Sequence, residues 1–142
     1  MKSTEISILS WGIYLIGLGL ALICIPINTV ALFGFESSED LWIRFAGILS
    51  VVLGIYYIQV AKNRIKLLYK WKIVGHVFGL VCMGGFIVSG VADLRLMGTI
   101  VVELSACLWT FFALKWDYRN AEKQVLEIVQ SDDLLKSKKT NF

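Results

Sequence analysis

One proline, one histidine and three scattered cysteines are all that 142 residues contain of the side chains that most often break helices, bind metals or carry thiol chemistry. Each scarcity excludes something. Cys24, Cys82 and Cys107 show no CxxC and no metal-ligand spacing, so neither a dithiol electron carrier nor a metal site is expected. There is no phosphate loop, no nucleophile elbow, no HExxH and no dinucleotide fingerprint, and hence no cofactor and no assembled catalytic set is expected. Charge is scarce where it matters most, because the first long apolar run contains no charged residue after Glu5. A soluble bundle of this size would interleave charges at helical spacing to wet one face.

Apolar sequence fills the space that these absences leave. Runs at 6–25, 41–61, 73–92 and 96–116 are each about twenty residues long, which is what a helix rising about 1.5 Å per residue needs to cross a hydrocarbon layer of about 30 Å. With 57% hydrophobic residues and a mean hydropathy of +0.71, the chain reads as all-α, a transmembrane antiparallel four-helix bundle over residues 1–116. The first run exceeds the h-region of a secretory signal and lacks a small-x-small cleavage site, so it is expected to stay as a membrane helix. Residues 117–142 read as a cytoplasmic tail, partly helical, with Tyr118, Ala121, Val125 and Ile128 on one face and Lys115, Arg119 and Lys123 in a basic stripe. Its end, from Ser131, is polar and expected to fray.

Charge sets the orientation. The connection from Lys62 to Lys72 carries five basic residues and no acidic one, and the tail is also rich in lysine. The positive-inside rule places both on the cytoplasmic side, with both termini inside a bacterial inner membrane. Tyr69 and Trp71 among those lysines fit an interfacial anchor in contact with membrane lipids better than a nucleic-acid surface. Pro26 should close the first helix, Ser37 or Ser38 should cap the second, and Asp93 to Arg95 should join the third and fourth as a tight hairpin.

Small residues mark where membrane helices meet, since lipid tails offer no hydrophobic drive for association. Gly12 and Gly19 share one face of the first helix, and Gly17 and Ala21 share another. Arg44, Gly47, Val51, Gly54, Ile58 and Ala61 line a stripe of the second, and Gly75 and Gly79 lie at GxxxG spacing in the third. On the fourth, Glu103 shares a stripe with Ala106, Thr110 and Ala113.

Glu103 is the polar anomaly, about 9 Å inside the last run at 1.5 Å per residue, and it should face the interior. Arg44 enters the second run from the same side, and the two are expected to pair as an internal clamp. His76, counted from the start of its own apolar run, falls about 15 Å from Glu103 in depth, too far to share a proton. Tyr56, Tyr57, His76, Trp109 and Thr110 are candidates to line an inner cavity.

The segments Leu41-Trp42-Ile43-Arg44-Phe45-Ala46-Gly47, Leu53-Gly54-Ile55-Tyr56-Tyr57 and Leu108-Trp109-Thr110-Phe111-Phe112-Ala113-Leu114 resemble small bacterial four-helix membrane proteins and are loosely similar to the DoxX-like group. The resemblance implies a four-helix bundle and carries over no functional residue. The redox roles that it implies would call for paired cysteines, which this chain lacks.

Three functions fit these features. The first is a non-enzymatic accessory or lipophile-binding bundle, with a hydrophobic small molecule or a larger membrane complex as partner. The second is a small transporter or channel, built as a homo-oligomer, with Glu103 as its protonatable site. The third is an intramembrane enzyme, which requires His76 or a tyrosine within hydrogen-bond reach of Glu103.

Overall fold

The computed structural model describes residues 2–33, 40–90 and 94–140, the last nine of these by backbone alone. Among them are five α-helices and one 3-10 turn, with no strand. Helix α1 (Ser3–Cys24) leads through the short α2 (Pro26–Leu32) to α3 (Asp40–Lys62) and α4 (Lys66–Val88). The 3-10 turn Leu94–Leu96 then opens the long α5 (Met97–Thr140). Four stretches, in α1, α3, α4 and from Leu94 to Ser131, are long and apolar enough to cross a membrane.

Local chemistry explains the boundaries. Glu5 Oε2 accepts the Lys2 backbone N–H at 2.9 Å, occupying a donor that the start of α1 would otherwise leave free. Pro26 ends α1 and, with its fixed φ, begins α2 at the first helical position. Helix α4 stops at Val88 because Gly90 turns into the left-handed region, at φ +72°, and its N–H bonds the Ile87 carbonyl. The proposed caps Ser37 and Ser38, and Asp93 of the hairpin, lie outside the described residues. Helix α5 does not stop where its apolar run does. Glu, Lys, Leu and Gln, all good helix formers, carry the helical backbone on to Thr140.

Helix α1 is the hub, packed along α3 and also against α5, which in turn holds α4. The α1–α3 contact is a glycine seam. A Cβ placed on Gly19 would stand 2.6 Å from the Gly47 carbonyl oxygen, and one on Gly54 would stand 2.7 Å from that of Gly12. As the register rises along α1 it falls along α3, so these two helices run in opposite directions. The GxxxG pair of α4 behaves otherwise: Cβ atoms on Gly75 and Gly79 would meet nothing within 4 Å.

Many large apolar side chains face outward, and several polar ones lie inside beside an apolar core. Phe78, Val81 and Val88 of α4 face outward at 71%, 70% and 90% exposure, while Thr4, Glu5, Ser7, Lys72, His76 and Thr110 are buried. An apolar cluster of Ile8, Val60, Ala61 and Tyr69, with Tyr57 and Leu114 against it, closes one end of the interior.

Candidate functional site

Three polar stripes converge on the interior from α1, α4 and α5. Tyr69, Lys72 and His76 recur at three- and four-residue steps on α4, while Glu103, Thr110 and Asp117 recur every seven on α5. Facing them from α1 are Thr4, Ser7 and Trp11.

At the middle of this interior His76 Nδ1 is hydrogen-bonded to Glu103 Oε2. The other ring nitrogen, Nε2, is buried without a partner. With Nδ1–H donated to the carboxylate, Nε2 is left with an open hydrogen-bonding position, an acceptor in a neutral ring and a donor in a protonated one. Trp11 holds the ring from the side, edge-on at 4.7 Å between centroids. Its own ring lies 5.6 Å from Lys72 Nζ.

Below that pair Lys72 Nζ donates to Thr110 Oγ1 at 2.6 Å. Thr110 Oγ1 itself donates to the Ala106 carbonyl at 2.9 Å, so Ser7, 2.8 Å away, supplies the proton of their shared bond. One hydroxyl thus accepts twice and donates once, its full capacity. At the start of α1, Asp117 Oδ2 accepts both the backbone N–H and the hydroxyl of Thr4, at 3.0 and 2.7 Å.

A cleft of about 530 Å³ opens beside the Glu103–His76 pair. Trp11, Tyr14, Leu18, Trp42, Phe86 and Val102 give it apolar walls, and Glu103 and Thr99 are its polar groups. The Glu103 side chain keeps 19% exposure, which makes its carboxylate reachable, and the buried Thr99 hydroxyl has no partner. The volume is within the range of small-molecule sites, which combine apolar walls with few polar groups.

The structure corrects the expected clamp. Arg44 does not meet Glu103; its guanidinium binds Asp40 at 3.0 Å and the Ile23 carbonyl. A carboxylate one turn away on the same helix, together with a free carbonyl at the end of α1, satisfies the arginine near the surface. The exclusion of His76 from Glu103 is also overturned. Helix α4 begins at Lys66, seven residues before its apolar run, which puts His76 about 15 Å into it at 1.5 Å per residue. Counting the 3-10 turn at about 2 Å per residue, Glu103 lies about 15 Å beyond Leu94, so the two meet near mid-depth.

The remaining candidates separate. Thr110 is fully buried in the polar interior; Tyr57 packs against the apolar cluster. Tyr56 faces outward at 64% exposure, and Trp109 borders a smaller cleft of about 250 Å³ beside Ser7 and Trp11. None of the five lines the large cleft. Lys72, Thr4 and Asp117 are not among the sequence candidates, although their helical spacing from His76, Ser7 and Thr110 is a readable signal; Glu5, two residues from Ser7, has no such spacing.

The position of Arg44 carries a test. Half-exposed and paired one turn away, it should matter little: Arg44→Ala is expected to lower stability by about 1 kcal/mol in SDS unfolding. An internal clamp to Glu103 would instead give a loss of about 3 kcal/mol or more.

No family model, curated protein or solved structure matches this chain.

Proposed function

We propose that this chain is an integral membrane protein, an antiparallel four-helix transmembrane bundle that binds a lipophile in the cleft lined by Glu103. Four helices of spanning length, with large apolar side chains facing outward and polar ones inside, support the placement in a bilayer. The basic α3–α4 connection and the lysine-rich tail support cytoplasmic termini, and a bacterial inner membrane is the fitting compartment.

The observation that carries the reading is the cleft itself. Its walls suit a chain or ring system, and its end offers a carboxylate, an orphaned threonine hydroxyl and a neighbouring imidazole. A ligand matched to it is mainly apolar and bears a hydroxyl or another hydrogen-bond donor for Glu103. Native mass spectrometry of protein extracted in mild detergent is expected to show such a molecule retained. Ala46→Trp or Val102→Trp, each adding bulk in the cleft, should empty it, and Glu103→Leu should weaken retention roughly tenfold, about 1.4 kcal/mol. Wild-type protein that carries no lipophile, even after incubation with a membrane lipid extract, would refute the proposal.

A second reading, a small oligomeric transporter with Glu103 as its protonatable site, is favoured by the buried succession of Thr4, Ser7, Thr110, Lys72 and His76 along the interior, with half-buried Asp117 and Glu103 at its two ends. It requires proton-coupled flux in proteoliposomes that disappears in Glu103→Gln and persists in Arg44→Ala. The His76–Glu103 contact equally meets the geometric condition for an intramembrane enzyme. Recovery of the bound lipophile in chemically altered form would select that reading.

A further inference from the structure

A second polar site lies where the first turn of α1, the start of α4 and the middle of α5 come together. A cavity of about 120 Å³ is lined there by Lys2, Glu5, Lys66, Tyr69 and Asp117, with Leu114 and Ala121 as apolar neighbours. Its walls carry charges of both signs. The Glu5 side chain is 3% exposed; its Oε2 holds the Lys2 N–H, while Arg64 Nε stands 3.6 Å from Oε1, beyond a normal hydrogen bond. Both bonds from Thr4 fall on Oδ2 of Asp117. Tyr69 is 5% exposed, yet its buried hydroxyl has no partner. A buried phenol lacking a hydrogen bond is unfavourable, so beside this cavity the Tyr69 hydroxyl offers an open position to water or to a polar ligand.

We infer that this cavity receives a headgroup that joins a primary ammonium to a phosphate. The ammonium offers three N–H donors to the carboxylates of Glu5 and Asp117, and the Tyr69 hydroxyl, Lys2 and Lys66 serve the phosphate. A trimethylated ammonium has no N–H to give and is bulkier than the space favours. A glycerol headgroup brings no cation to two carboxylates. The site lies at the end of the helices where lysines and aromatic residues gather, so the source consistent with the membrane placement proposed above is phosphatidylethanolamine in the cytoplasmic leaflet.

The test uses the full chain in nanodiscs holding equal amounts of phosphatidylethanolamine, phosphatidylcholine and phosphatidylglycerol, with retained lipids counted by native mass spectrometry. Phosphatidylethanolamine is expected to be enriched about tenfold over each of the others, the effect of one charge-assisted hydrogen bond. Tyr69→Phe removes only the orphaned hydroxyl that serves the phosphate, so the amount of phosphatidylethanolamine retained should fall severalfold while the unfolding midpoint stays level or rises. Displacement by soluble phosphoethanolamine would show that the zwitterion alone suffices, and retention against it would show that the acyl chains contribute. Equal retention of the three lipids, or a Tyr69→Phe protein that retains as much phosphatidylethanolamine as the unaltered chain, overturns the inference. Failure of the chain to enter nanodiscs would instead overturn the membrane placement, a separate and distinguishable result.

Discussion

Gly19→Ala should destabilise the protein by about 1–3 kcal/mol, whereas Gly17→Ala, two residues away on the same helix, should be neutral or stabilising by up to about 1 kcal/mol. The difference lies in what each new methyl would meet. At Gly19 it would stand 2.6 Å from the Gly47 carbonyl oxygen and 2.9 Å from the Val51 nitrogen, both backbone atoms that cannot swing aside. At Gly17 there is nothing within 4 Å, and alanine brings only its better helix propensity. The seam is reciprocal, since a Cβ on Gly47 would stand 2.8 Å from the Gly19 oxygen. Gly19→Ile or Gly47→Ile should therefore separate α1 from α3 altogether and abolish folding. Reversible SDS unfolding followed by circular dichroism gives the comparison; equal effects at Gly17 and Gly19 would show that the two helices are not in close contact.

The second large effect is expected from Thr110→Val, a change that keeps shape and removes one oxygen. That oxygen serves Lys72, Ser7 and the Ala106 carbonyl together. Valine leaves a buried amine and a buried hydroxyl without their partner, at about 1–3 kcal/mol for each, so a total loss of about 2–5 kcal/mol is expected. Thr110→Ser keeps the hydroxyl and should lose about 1 kcal/mol or less, for one methyl group. The decisive comparison is the double variant. Lys72→Met with Thr110→Val removes both ends of the strongest bond, and the pair should recover part of the loss rather than add to it. Strict additivity in the same SDS titration would mean that Lys72 does not depend on Thr110.

The helices themselves were readable because their signal is local. Twenty apolar residues in a row specify a spanning helix whatever surrounds them, and the glycine faces of Gly12 and Gly19 and of Gly47 and Gly54 could be read from spacing on each helix. The same rule did not distinguish these glycines from Gly75 and Gly79, which have the spacing and no neighbour. Hydropathy also misled at the ends of the runs. Lys72 and Asp117 fall just outside apolar stretches and were assigned to the loop and tail, yet both lie within continuous helices and turn inward. A polar residue lowers a hydropathy average equally whether it faces water or another helix, so the boundary of an apolar run is not the boundary of a helix. From that single shift in the start of α4 came the misplaced depth of His76 and the choice of Arg44 as the partner of Glu103.

Composition and spacing on their own determined that the chain is helical, which stretches are apolar enough to span a bilayer, and that Glu103 is out of place among apolar neighbours. Each of these is a property of consecutive residues on one helix. Which side chain answers Glu103, why Lys72 is buried, and where a cleft of about 530 Å³ opens were decided only by the tertiary structure. Pairing depends on the relative translation and rotation of two helices, and a slide of one turn, about 5.4 Å, is enough to exchange one partner for another. The glycine seam sets that position for α1 and α3, the Thr110 bonds set it for α4 and α5, and the Glu103–His76 contact is their joint result.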